Sequence, residues 1–375
     1  MLSKSVKILS LLGFDVKLDP SWILIVALIT WSLSKGYFPD ALPGVSDAAY
    51  LGMAMATTVL FFACLVLHEL AHSVVARRYG IRINGITLFV FGGIAELERE
   101  PDTAGSEFWM ALAGPVMSFA LAALFWALTA AVALAGASGP VETVLRYLAQ
   151  INLVLALFNL VPAFPLDGGR ILRALLWNRS GNLLDATRVA ARAGMIFAYV
   201  LIATGIVLVF AGGQFAGLWQ VVLGLFLLNA ATGAYQRQLM ATTLKGRTVA
   251  DLMTHRAIFA APDMTLSELV DDIVLMRRVS FVPVVEDKVL LGYVDLDILA
   301  RIERDNWTTT RIDDVFIAAD GDNTIPPEMP AADLIERLTR SDRRKFMVAE
   351  GRHLLGVVSA SDVMRFMALA RQVRG

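Results

Sequence analysis

The sequence predicts a polytopic α-helical membrane protein with a small membrane-associated β-hairpin or sheet, followed by an α/β module built from two repeats. Three observations carry this. About six stretches are apolar over roughly the 20 residues a helix needs to cross hydrocarbon. Charged residues, 18% of a chain that is 57% hydrophobic, are sparse up to about Tyr235 and dense from Lys245 to Arg374. Within that charged region Val249-Ala-Asp-Leu-Met253 is echoed by Ile312-Asp-Asp-Val-Phe316, and Leu290-Leu-Gly292 by Leu354-Leu-Gly356.

The candidate spans are residues 20–33 (extendable to 38), 49–76, 108–135, 141–177, 190–211 and 217–235. Basic residues orient them. Lys4, Lys7 and Lys17 precede the first span, and Arg77, Arg78, Arg82 and Arg99 separate the second from the third. Arg170, Arg173, Arg179, Arg188 and Arg192 lie between the fourth and fifth, and Arg237, Lys245 and Arg247 follow the sixth. The opposite side carries little beyond Lys35 and Arg146. The positive-inside bias therefore predicts an integral membrane protein with both termini and the charged module cytoplasmic; the membrane expected is a prokaryotic cell membrane. No cleavable signal is expected, because Lys4, Lys7, Asp15, Lys17 and Asp19 precede the first apolar run and no small-residue cleavage pattern follows it. A net charge of -1 gives no concentrated basic surface for a nucleic acid. The single cysteine, Cys64, excludes an intrachain disulfide and a thiolate cluster.

Toward the cytoplasmic end of the second span stands His68-Glu69-Leu70-Ala71-His72. Residues i and i+4 are neighbours on a helix, so both imidazoles reach one ion while Glu69, offset by one position, lies beside a water on it. Polar side chains in a span are costly unless they serve a function. Between the second and third spans, residues 80–97 do not read as a helix. Asn84-Gly85 is a hairpin signal among branched and aromatic residues, and Gly92-Gly93 marks a break or a close backbone approach. This segment either dips into the membrane beside the second span or forms an ordinary cytoplasmic hairpin.

The fourth span is too long for one crossing and is interrupted at Asn159-Leu-Val-Pro162-Ala-Phe-Pro165-Leu-Asp167-Gly168-Gly169-Arg170. Pro162 and Pro165 each remove a backbone donor, so the helix opens here. A carboxylate beside an opened helix at membrane depth calls for a cation, which makes Asp167 the candidate third ligand. Gly168 and Gly169 are expected to give the backbone freedom to aim it, with Arg170 starting the next helix. The competing reading is that the prolines end a span and Asp167 caps a helix.

Each soluble repeat reads as β-α-β-β-α, with helices at 265–278 and 330–341 and strands at 281–286, 290–294, 346–350 and 354–358. The domains expected are 1–240 in the membrane, a linker at 241–247, and repeats at 248–305 and 306–375. Neither repeat alone buries much surface, so the two are expected to pack as one pseudo-symmetric module.

The two membrane motifs resemble those of the site-2 proteases, intramembrane zinc metalloproteases. Ala113-Gly114-Pro115-Val116-Met117-Ser118 and Gly92-Gly93 also fit, while Ala71 stands where many members carry glycine, and no PDZ-like insertion is present. The resemblance implies one catalytic zinc on His68, His72 and Asp167, with Glu69 as general acid/base. It implies substrates that are membrane proteins, single-pass and already trimmed by another protease, cut within transmembrane segments. Asn159 is a candidate substrate contact, or a helix-to-helix hydrogen bond. Gly92 and Gly93 are candidates because the segment at residues 86–94, which holds them, is expected to pair with an unwound substrate by strand addition.

The repeats resemble a tandem of CBS domains, which often bind adenine nucleotides. Ser359 and Asp362 after Gly356 match the family's nucleotide contacts. After Gly292 the pattern departs, with Asp295, Asp297 and Ile298, so a nucleotide is expected in the second half or in neither. A docking or homodimer module is the alternative. Asn152 and Cys64 read as structural, and His255 and His353 as surface residues. The rival functions are a CBS-gated transporter or channel, which would not need the three donors as a set, and a zinc-free scaffold.

Overall fold

The computed structural model describes residues 5–137, 139–341 and 343–374. The chain forms two compact units, Met1–Gln238 and Leu239–Gly375.

The first unit begins with a feature the sequence reading assigned to no element. Strands β1 (Val6–Leu11) and β2 (Phe14–Leu18) form a hairpin. Its two-residue turn places both Leu12 (φ 51) and Gly13 (φ 86) at positive φ, the geometry that matches the twist of paired strands. Helix α1 (Trp22–Ser32) passes through a wider helical turn at Leu33–Tyr37 into α2 (Phe38–Ala41), and α3 (Asp47–Arg78) follows. Ser46 caps α3 by accepting from the Ala49 amide at 3.3 Å.

After α3 come β3 (Ile83–Phe89) and β4 (Gly92–Leu97), which complete a four-stranded sheet in the order β1-β2-β3-β4 with β2 parallel to β3. The hairpin turn is at Val90-Phe91, not at Asn84-Gly85. Gly92 has φ 138 and supplies the backbone freedom there. Asn84 and Gly85 lie inside β3, where its pairing with β4 shifts register. Gly85 is needed for a different reason: a Cβ there would come within 2.8 Å of the Asp15 carbonyl oxygen, so the glycine admits β2.

Helices α4 (Ala104–Leu134) and α5 (Pro140–Asn159) follow, then a break, then α6 (Asp167–Ser180), α7 (Leu183–Phe210) and α8 (Gln214–Leu244). Among the described residues, six helical stretches are long and apolar enough to cross a membrane: Trp22–Ala41, Asp47–Arg78, Ala104–Leu134, Pro140–Asn159, Leu183–Phe210 and Ala216–Leu244. Their outward residues include Ile23, Val59, Ile196, Val207 and Phe210, all exposed, as a lipid-facing surface requires.

The long fourth segment opens at its prolines as expected, but α6 begins at Asp167 rather than at Arg170. The glycines of the break admit close packing rather than aim the carboxylate. A Cβ on Gly168 would lie 2.3 Å from the Leu160 carbonyl oxygen, and one on Gly169 2.3 Å from the Phe164 nitrogen. The opened backbone finds a partner in the neighbouring helix, for the Phe164 amide donates to the Ala190 carbonyl of α7 at 3.2 Å.

The second unit holds α9 (Val249–Leu252), β5 (Thr254–His255), α10 (Leu266–Glu268, wound on through Leu269–Leu275), β6 (Phe281–Glu286), β7 (Val289–Asp295) and α11 (Leu296–Leu299). The second repeat adds β8 (Ile317–Ala318), β9 (Thr324–Ile325), α12 (Ala331–Arg340), β10 (Lys345–Glu350), β11 (His353–Ser359) and α13 (Ala360–Arg374). The sheets run β6-β7-β8 and β5-β11-β10-β9, so each repeat lends a short strand to the other's sheet. The repeated glycines make room for the guests. A Cβ on Gly292 would sit 2.0 Å from the Ile317 carbonyl oxygen, and one on Gly356 2.5 Å from that of Thr254.

Candidate metal centre

His68 and His72 project from one face of α3, and both are buried. Asp167 is the first residue of α6, delivered to that face by the break. The His68 Nε2 and His72 Nε2 atoms are 3.2 Å apart, and each is 3.2 Å from Asp167 Oδ2. Three donors at mutual distances of 3.2 Å form one face of a tetrahedron whose centre lies about 2.0 Å from each, the bond length of zinc to imidazole or carboxylate.

The second nitrogens of the rings test whether these residues fit a cation. His72 Nδ1 donates to the Met110 carbonyl at 2.6 Å, and since a carbonyl only accepts, that nitrogen carries the proton. In the neutral ring Nε2 is then a lone pair. His68 Nδ1 is 2.8 Å from Ser118 Oγ, which can accept in the same way. Two lone pairs and a carboxylate thus converge on one point, an arrangement that repels unless a cation occupies it.

The space for that ion comes from α4. Met110, Gly114 and Ser118 fall at i, i+4 and i+8, one stripe of the helix facing the two imidazoles. A Cβ at Gly114 would stand 2.2 Å from His72 Nε2 and 2.5 Å from His68 Nε2. Glycine here is the condition for the donors to remain open on that side. The sequence reading quoted Gly114 and Ser118 for their resemblance but gave neither a role.

Glu69 is half-buried and lines, with His68, His72, Asp167 and Asn159, a cavity of 890 Å³. One wall is β4. A Cβ on Gly93 would come within 2.6 Å of Glu69 Cγ, so the strand lies directly on the acid. Because β4 ends the sheet, one of its edges is unpaired with any other strand of it. Asn159 also lines the cavity, with its Nδ2 donating to the Leu155 carbonyl at 3.1 Å.

A charge cluster behind Asp167 escaped the sequence reading. Glu107 of α4 is fully buried, and Arg173 of α6 donates to its Oε1 through Nε at 2.6 Å and through Nη2. The Arg173 guanidinium also stacks over Phe164 in the break, 5.2 Å from the ring centre. The available signal was the type of residue: a glutamate at the head of one apolar span and an arginine two turns past the aspartate.

In the second unit the candidate nucleotide residues contact each other. Ser359 Oγ donates to Asp362 Oδ2 at 2.6 Å and the Ser359 amide to the same oxygen at 2.9 Å, closing the head of α13. Thr254 donates to the other oxygen at 3.3 Å. His255 and His353 are exposed.

This fold and site define a class: the chain belongs to peptidase family M50, as an intramembrane zinc metalloprotease of the site-2 protease type that ends in tandem CBS domains. The Peptidase family M50 model matches residues 56–136 and 133–203, and the CBS domain model matches 249–304 and 314–369. Rip3 of Mycobacterium tuberculosis is 38% identical over 363 residues, covering 96% of this chain and 92% of that protein. Zinc metalloprotease MJ0392 of Methanocaldococcus jannaschii is 27% identical over 368 residues, covering 97% and 96%. Among solved structures, the site-2 protease from Methanocaldococcus jannaschii is 28% identical at a TM-score of 0.42, covering 62% of this chain and 95% of that one.

Proposed function

We propose that His68, His72 and Asp167 hold the catalytic zinc and that Glu69 moves the proton in hydrolysis of a peptide bond within a transmembrane substrate. The observation that carries this is the 3.2 Å triangle of donors with the outer nitrogen of each imidazole turned to Met110 or Ser118. When bound, zinc would lower the pKa of a water to about 7 and polarise the substrate carbonyl. A divalent charge would also offset the Asp167 and Glu69 carboxylates in a poorly solvated cavity.

The chain's own residues supply the rest. Glu69 accepts a proton from the attacking water as oxygen bonds to the carbonyl carbon, then returns it to the amine nitrogen as the C–N bond breaks. A helical substrate hides its carbonyls in its own hydrogen bonds, so it must unwind first. The edge of β4 beside Glu69 supports pairing of the unwound segment along this strand. The arginines at the end of α3, within α6 and at the start of α7 support a cytoplasmic placement of the centre. By the same reading the substrates are single-pass proteins trimmed beforehand, and the CBS pair regulates access, with a nucleotide at Ser359 and Asp362.

The decisive variant is Glu69→Gln. It is expected to keep stoichiometric zinc and lose cleavage of a co-expressed, tagged membrane substrate. Retained cleavage would remove Glu69 from the mechanism.

A further inference from the structure

The cavity that holds Glu69 and Asp167 is also lined by a cation that the chemistry above does not use. Arg170 follows Asp167 by three residues on α6, so the two share a face of the helix. Its Nε atom is shielded from solvent and has no hydrogen-bond partner among the described residues. The nearest carboxylate is Glu107, 3.9 Å away, too far for a hydrogen bond. The Glu107 Oε1 takes two donors from Arg173, while its Oε2 is buried with no hydrogen-bond partner among the described residues. The pair Glu107–Arg173 thus anchors α6 to α4, and Arg170 stands at the cavity wall within charge range of Glu107 but without a hydrogen bond from its Nε.

Uncommitted buried donors are uncommon in native proteins and mark places where another group completes the bonding. The ligand that matches here is main chain. A segment unwound from a transmembrane helix presents carbonyl oxygens that no longer have amide partners, and at membrane depth each one needs a donor. A guanidinium offers five N–H groups in a fixed fork, and its charge strengthens each bond in a poorly solvated site. We propose that Arg170 binds the carbonyls of the unwound substrate segment and so holds that segment open beside Glu69. Arg170 is a substrate-positioning residue in this scheme, and Glu107 and Arg173 are its scaffold. The proposal rests on the reading of Glu69 and the three donors as the reacting centre.

The test measures binding separately from cleavage. Full-length Glu69→Gln protein, loaded with zinc, is titrated in detergent micelles against a dye-labelled single-span peptide carrying a central Asn-Pro helix break, with anisotropy as the readout. Adding Arg170→Gln is expected to weaken affinity about tenfold, with Arg170→Lys in between. Zinc content and melting temperature stay those of the parent. Glu107→Gln, by contrast, is expected to lower the melting temperature, because it leaves Arg173 buried without its partner. In the Glu69-containing protein, Arg170→Gln raises KM with little change in kcat. Equal affinity with and without Arg170, including no measurable affinity in either, would overturn the proposal. So would an affinity loss that comes with lost zinc or a lower melting temperature, which would make Arg170 a structural residue. Failure of the underlying reading looks different: zinc-loaded wild type would cleave no better than Glu69→Gln, whatever the peptide affinities.

Discussion

A metal centre depends on residues that donate nothing to the metal, and at the scale of single residues Gly114 is the clearest case. Substituting Gly114→Ala should cost zinc affinity about 10- to 100-fold while leaving the helices folded, because the added methyl enters the space between His68 and His72. Metal analysis of the purified variant beside wild type checks it, and stoichiometric zinc would contradict it. This scale also separates what the sequence discloses from what it hides. His68, Glu69, His72 and Asp167 were legible because imidazole and carboxylate in apolar surroundings have few uses besides metal and proton chemistry. The Met110 carbonyl that orients His72 was not, since every residue has a carbonyl and only the fold selects one. Gly114 acts by lacking a side chain, and Glu107 and Arg173 meet across 66 positions of chain.

Elements were legible where their period is long. The spans followed from apolar length, and the break between α5 and α6 from Pro162 and Pro165. The strands were harder. In β1 the apolar residues Val6, Ile8, Leu9 and Leu11 are all exposed, so no alternation announces a buried face. Asn84-Gly85 carried a turn signal that β2 overrode by approaching Gly85. Two predictions belong here. Gly92→Pro or Gly93→Pro should abolish cleavage while zinc stays bound, because proline fixes φ near -65° and cannot match the φ of 138 at Gly92, or donate from the strand at Gly93. Unchanged cleavage in both would defeat strand pairing. The sheet is further tied by Glu96, which accepts from Lys17 at 2.8 Å and from Thr87 at 2.7 Å. The Lys17 bond first, then the Thr87 bond, hold the Glu96 carboxyl below its usual 4.5. A lowered folded value means the stabilisation is complete above the unfolded pKa and is lost as pH falls through the folded one. Glu96→Gln should therefore lower the melting temperature at pH 7, by an energy of about 1 kcal/mol or less, and the gap to wild type should close in acid. A gap that widens in acid would refute this tie.

At the scale of the whole molecule, composition alone separates an apolar region from a charged one, and a mean hydropathy of +0.62 is too apolar for an ordinary soluble protein. The repeat of the charged region was equally plain. The exchange of β5 and β8 between its sheets was not, because strands of two residues have no period to detect. That exchange ties the two CBS repeats together through both sheets. Calorimetric titration of the full-length protein with ATP, ADP and AMP should give heat that Asp362→Ala removes. No heat with any of them would leave the pair as a docking or dimer module.

The open side of the metal site has a genetic consequence. Glycine and alanine codons differ by a single base, so on the proposed reading one mutation at Gly114 would give an inert membrane protein whose proposed ligands and proton carrier all survive. A lineage that lost its activity this way would still display His68, Glu69, His72 and Asp167 intact. Pseudoenzymes among such chains are therefore to be sought at the position facing the imidazoles, where the change leaves every signature of catalysis in place.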